Sequence, residues 1–265
     1  MTPTIDSVRV EAATYVHWQA GGNGPAVVLL SGSGGMDWRQ WDEVFVRLQQ
    51  NFRVVRFEPR GSGRSSVPMG AYSNTADLLK VLDAARVDRA ALVGLSSGGG
   101  IALDFVLVHP ERVSALVLGG PLVGGFVNSS QLQARIDRLA AASRVGLEEG
   151  ITAFLDDPHF IPAVGNPLAR DLARQLLRDN ARPVAMGRAT ALDPPAVNRL
   201  AEINVPTLLV VGEFDHPDIH RRVSFLSDSL RNAVKLVFPG GGHMLNMENA
   251  PLFSLLTSTF LRTRQ

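Results

Sequence analysis

The chain has no cysteine among its 265 residues. That excludes a disulfide framework, a thiolate nucleophile and a cysteine-ligated zinc site. It also has no excess of charge: 26 Lys and Arg stand against 25 Asp and Glu, a formal net charge of +1. No run of Lys or Arg occurs, and the scattered arginines read as solvated faces, so nucleic acid is not an expected partner. Long apolar runs are missing as well. No stretch reaches the ~18 residues of a spanning helix, and the opening MTPTIDSVRV has neither the charged nor the apolar region of a secretory signal. A cytoplasmic protein, off the membrane, is expected. The remaining composition, 45% hydrophobic and 19% charged, is that of a globular chain long enough for one large α/β domain or a domain with an insertion.

What is present alternates. VRVEAATYVHWQA reads as an antiparallel pair. PAVVLLSG is a continuous apolar run ended by glycine, as in a strand buried on both faces. DWRQWDEVFVRLQQ has helical periodicity. FRVVRF is a strand leading into the turn EPRGSGRS. NTADLLKVLDAARV is a helix with Asn74 or Thr75 as N-cap. AALVGL, SGGGIALDFVLVHP and VSALVLGG give strand, helix, strand. This alternation predicts a mostly parallel sheet with helices on both faces. From about residue 121 to 200 no strand pattern occurs, and three helical stretches are broken by prolines. PTLLVVGEFD then restores the strand signal, followed by a helix, a strand and a last helix. The expected organisation is a core domain of residues 1–121 and 201–265 interrupted by a helical cap of residues 122–200.

Gly94-Leu95-Ser96-Ser97-Gly98 matches G-x-S-x-G between a strand and a helix. A serine on so sharp a turn needs small residues two before and two after it, because backbone packs close there. Centring the motif on Ser97 would need glycine where Leu95 stands, so Ser96 is the candidate nucleophile. Ser97 would lend its backbone N–H to an oxyanion at the helix N-terminus. A phosphate cradle is less well matched: there is no G-K-[ST], and SGSGGMD lacks the third glycine of G-x-G-x-x-G.

A serine hydroxyl needs a base, and the base an orienting carboxylate. Asp215 ends LLVVGEFD, and His243 lies in the late loop FPGGGHMLNME. The order Ser, Asp, His is that of the α/β-hydrolase arrangement. Glu213 is the alternative acid, and the chain reversal after Phe214 favours Asp215. Asp218 reads as a helix cap. His17, His109 and His159 lack the late loop position; His216 and His220 follow Asp215 and are placed at the site mouth. The second oxyanion donor is expected from LLSGSGGMDW, with the Ser33 N–H first and Gly34 next. Gly32 and Gly34 would let backbone approach the substrate closely.

On these motifs the chain resembles the α/β-hydrolase superfamily, in particular the small capped bacterial hydrolases that include esterases, enol-lactonases and cofactor-free haloperoxidase-like enzymes. The carriers are LLSGSGGMDWRQW, RFEPRGSGRSS, LVGLSSGGGIALDFVLVHPERVSALVL, PTLLVVGEFD and GGGHMLNMENAPLF. The resemblance implies an α/β-hydrolase fold with an eight-stranded, mostly parallel sheet. It implies Ser96 as nucleophile, His243 as general base, Asp215 as its orienter, and the N–H groups of Ser33 and Ser97 as oxyanion hole. The PRGSGRS turn is structural in the family, which leaves Arg60, Gly61 and Gly63 without a catalytic role. Two departures stand out: Ser31-Gly32 where the family often has His-Gly, and Glu58 where Asp is more frequent.

The expected reaction is hydrolysis of a small carboxylic ester or lactone through an acyl-enzyme, with no metal and no cofactor. C–C bond hydrolysis of a vinylogous diketone, perhydrolysis, and a small-molecule receptor or regulatory role on the same fold stay open, as does a homo-oligomer. A haloalkane dehalogenase or epoxide hydrolase would need Asp at position 96, and the latter cap tyrosines; Tyr15 and Tyr72 both precede the cap. An aminopeptidase relative would need cap carboxylates, and Glu148, Glu149, Asp156 and Asp157 read as helix-surface charges. Phe126, Leu155, Phe160, Ile161 and Val164 either offer an apolar acyl or ring pocket or, the more frequent role for each taken singly, only pack the cap helices; Phe126, Phe160 and His216 are the candidate substrate contacts beside Gly32 and Gly34.

Overall fold

Strands and helices alternate at both ends of the chain. In the computed structural model, which describes residues 3–32, 36–162, 164–181 and 187–263, β1 (Thr4–Glu11) and β2 (Thr14–Gly21) open the molecule as an antiparallel pair with Val8 opposite Val16. β3 (Ala26–Leu30), α1 (Asp42–Leu48), β4 (Arg53–Phe57), α2 (Asn74–Ala84), β5 (Ala90–Leu95), α3 (Ser97–Val108) and β6 (Val113–Gly119) follow. After the insertion come β7 (Thr207–Gly212), α7 (Pro217–Ser229), β8 (Ala233–Phe238), a short α8 (Leu245–Glu248) and α9 (Ala250–Arg262). The strands form one eight-stranded sheet in the order β1-β2-β4-β3-β5-β6-β7-β8. β2 pairs antiparallel with β4, and every pairing from β4 to β8 is parallel.

Side-chain alternation along the central strands feeds two cores. Val28, Leu30 and Leu92 join Leu78, Phe105 and Val223 on one face; Val27, Leu29 and Val93 join Trp41, Phe45 and Phe253 on the other. Both faces are therefore dry, which is why these strands read as unbroken apolar runs rather than alternating ones. The sequence reading of an α/β-hydrolase fold with a mostly parallel eight-stranded sheet holds.

Local details differ from expectation. The N-cap of α2 is Ser73, whose Oγ accepts from the Ala76 N–H at 3.2 Å, not Asn74 or Thr75. The helix expected in DWRQWDEVFVRLQQ starts as a 3₁₀ turn, Trp38–Trp41, with the Asp37 carboxylate accepting the Arg39 N–H at 2.9 Å. The side chain that caps α7 belongs to His216, while Asp218 sits in its first turn.

Between β6 and β7 the described residues form α4 (Ser130–Val145), α5 (Leu147–Asp156) and α6 (Pro167–Asp179), then two 3₁₀ turns. The end of α6 is tied down by polar bonds. Asn180 donates from Nδ2 to Asp37 at 2.8 Å and accepts the Gly63 N–H at 2.7 Å, and Arg39 pairs with Asp179 at 2.7 Å. No helix among the described residues is long and apolar enough to cross a membrane.

Candidate active site

β5 ends at Leu95 and α3 begins at Ser97, so Ser96 makes the whole turn. Its φ of 53° and ψ of −117° lie in a region a side chain rarely enters, at a cost of ~1–3 kcal/mol. Backbone bonds hold it there. The Ser96 N–H donates to the Gly119 carbonyl at 2.8 Å, and the Ser96 carbonyl accepts from Gly100 at 3.1 Å and Leu122 at 2.9 Å. The flanking glycines are required by space: a Cβ at Gly94 would lie 2.6 Å from the Gly98 backbone, and one at Gly98 would strike the Leu30 carbonyl.

Asp215 and His243 arrive from the neighbouring strand ends. The turn after β7 is closed by the Asp215 N–H donating to the Gly212 carbonyl at 3.1 Å. The buried Asp215 carboxylate then meets His243 Nδ1 at 2.8 Å through Oδ2, while its Oδ1 accepts the His216 N–H at 2.7 Å. Gly120, at φ 47°, leaves room for this pair at the end of β6; a Cβ there would sit 3.1 Å from the imidazole and 3.2 Å from the carboxylate. Ser96 and His243 both line one cavity of about 390 Å³. Among the described residues the imidazole's hydrogen-bond partner is Asp215.

A carboxylate that sequence reasoning left without a role grips the loop around His243. Glu248 accepts the Gly242 N–H through Oε2 at 2.6 Å and the Met244 N–H through Oε1 at 2.8 Å, one residue on each side of the histidine. His243 itself donates its N–H to the Phe160 carbonyl at 2.9 Å, which links the loop to the insertion. Burial pushes the Glu248 carboxyl up to about 7 in spite of its two N–H donors. A raised carboxyl pKa means that folding favours the protonated form. This contribution to stability is full below the ordinary value of 4.5 and is lost as the pH rises to about 7. Glu248→Gln cannot titrate, so the Tm of the wild type relative to E248Q is expected to decline over that window and stay level above it, as read by thermal melts. E248Q also turns an NH₂ toward one of the two N–H donors, and kcat is expected to fall about tenfold as the loop shifts. The signal in the sequence was a lone acid five positions after the histidine in GGHMLNMENAP.

The structure distributes the other candidates. Gly32 and Phe160 line the cavity with Ser96. Ser97 opens α3. Ser33 and Gly34 lie outside the described residues. Phe126 is not among the cavity residues: it packs on Phe225, with ring centroids 5.4 Å apart. His216 is also off the cavity wall, buried, accepting the Asp218 N–H through Nδ1 and packing on His159. Leu155 and Ile161 are buried, joined to the core on the Trp41 face of the sheet, and Val164 is exposed. Asp157 is no surface charge. Burial opposes its ionisation, yet Arg135 holds it with two bonds of 2.7 and 3.0 Å, and its carboxyl stays below the usual range. Ser31, where the family often has His, is buried with no partner for its hydroxyl among the described residues.

A glycine-flanked serine on a strained strand-to-helix turn, with a carboxylate–imidazole pair at adjacent strand ends, is the layout of an α/β hydrolase. The profile of the alpha/beta hydrolase fold family matches residues 25–250, and the chain belongs to that family. It is 30% identical, over 97% of its length and 99% of the other's, to a Bacillus subtilis protein provisionally named a 2-succinyl-6-hydroxy-2,4-cyclohexadiene-1-carboxylate synthase. It is 28% identical, over 94% of its length and 99% of the other's, to a pimeloyl-[acyl-carrier protein] methyl ester esterase of Vibrio campbellii. In fold it is similar to the enol-lactonase of Burkholderia xenovorans, with a TM-score of 0.77 and 23% identity over 98% of this chain and 100% of that one. The protein is a hydrolase of this family.

Proposed function

We propose that the protein is a serine hydrolase that cleaves a small carboxylic ester or lactone through an acyl-enzyme. Ser96 attacks the carbonyl while His243 takes its proton, and Asp215 orients the ring and steadies the imidazolium. The backbone N–H of Ser97, with that of Ser33 from the loop after β3, receives the oxyanion; such a donor is worth ~10²–10³ in rate. The alcohol leaves, water attacks the acyl group, and His243 again serves as base. Residues 122–200 act as a cap over the cavity, to which the insertion contributes Leu132, Leu139 and Phe154.

The observation that carries this reading is the 2.8 Å bond between Asp215 and His243 at the rim of the cavity that Ser96 lines. The test is covalent labelling with a fluorophosphonate probe alongside turnover of p-nitrophenyl butyrate. A single adduct on the peptide carrying Ser96, together with ester turnover, is the expected result. Ligand binding without turnover or adduct would favour a receptor and overturn it.

A further inference from the structure

The cavity wall carries charge of one sign. Among its described residues are Arg135 and Arg222, and no aspartate or glutamate. The two arginines differ in what they already hold. Arg135 is engaged by the buried Asp157 through two bonds. Arg222, on α7, is 2% exposed and pairs with no carboxylate among the described residues. Its Nη2 donates to Asn128 Oδ1 at 2.9 Å and its Nη1 to the Pro121 carbonyl at 3.3 Å, while Nε has no partner among the described residues.

The acids that attract Arg222 from further off, Asp218 and Asp215, are committed elsewhere. Asp218 accepts the Ser129 N–H at 2.6 Å and the Arg221 Nε at 3.2 Å. Asp215 is taken by His243 and the His216 N–H. Burial lowers the Arg222 pKa, as expected of a cation without a full counter-charge, yet a guanidinium stays protonated in a protein. An unmatched buried cation is costly, and a ligand anion is what would offset it. Asn128 adds a directional argument. Its Oδ1 faces Arg222, so its NH₂ points away from the guanidinium, and that group makes no hydrogen bond to another described residue. Asn128 also lines the cavity, and Leu132, Ile136 and Leu139 of α4 supply an apolar wall suited to a methylene chain.

We propose that the cavity selects esters or lactones whose acyl part bears a free carboxylate, with Arg222 as the specificity-determining cation and Asn128 as a companion donor. This rests on the serine-hydrolase reading above and names its substrate class. A carboxylate held by charge-assisted bonds is expected to favour such substrates about ten- to a hundredfold over neutral ones of the same length.

The test compares mono-p-nitrophenyl adipate with p-nitrophenyl hexanoate, corrected for uncatalysed hydrolysis, on the wild type and on Arg222→Met. The expected result is a kcat/KM ratio of about tenfold or more in favour of the adipate ester, falling to about one in R222M while hexanoate turnover persists. Competition on the wild type repeats the test without a substitution: adipate should inhibit hexanoate turnover at least about tenfold more tightly than hexanediamide. Equal or better use of the hexanoate ester by the wild type, an unchanged ratio in a folded R222M, or equal inhibition by the diamide overturns the selectivity and leaves the hydrolase reading intact. Failure of the wild type to cleave either ester overturns both.

Discussion

Ser96→Ala is expected to lower kcat toward a short-chain ester by ~10³-fold or more, with KM and Tm little changed. The size of the effect follows from the proposed mechanism: without the hydroxyl no acyl-enzyme would form, and the oxyanion donors and binding contacts alone would leave only residual acceleration. The small change in stability follows from the backbone. Alanine keeps the Cβ, so the conformation at φ 53° is as strained as with serine. Ser96→Gly is equally inactive but relieves that strain, and its Tm should exceed that of S96A. Steady-state kinetics and melts of the three proteins check this. Equal rates for S96A and wild type would sink the assignment of the nucleophile.

The second large effect is expected at Asp215→Asn, a loss of ~10⁴-fold in kcat at neutral pH. On the proposed mechanism the effect is directional. Oδ1 of Asp215 accepts the His216 N–H at 2.7 Å, and Oδ2 faces His243 Nδ1 at 2.8 Å. Asparagine that keeps its oxygen on His216 presents an NH₂ to Nδ1. The ring must then carry its proton on Nε2, where the serine hydroxyl has to deliver one. The side chain is nearly isosteric, so the fold and KM should survive while the base is lost. Imidazole ¹⁵N shifts report the tautomer directly, and an unchanged tautomer with full activity would refute the role given to Asp215.

Both predictions rest on residues that the sequence made legible for a physical reason. The turn at Ser96 is legible because backbone closeness at Gly94 and Gly98 leaves little choice of residue, and a forced choice shows as a pattern. The strands were legible because burial on both faces removes every polar residue from β5. Side chains that act across the fold were not. Nothing local marks Arg222 or Asn128, which meet only when α7 packs against the chain that follows β6. Asp157 looked like a helix-end surface charge because its partner, Arg135, lies on another helix. Phe126 and Phe160 read alike as apolar residues of the insertion, yet one turns toward Phe225 and the other toward the cavity.

The strand order also sets a timetable for biosynthesis. The serine follows β5 at the middle of the sheet, while the acid and the imidazole follow β7 and β8, the last two strands made and the ones that complete one edge. On the assignment argued here, a growing polypeptide carries its hydroxyl on the ribosome for much of translation with no group to activate it. Reactivity would then be acquired only when the segments that follow β7 and β8 emerge and dock.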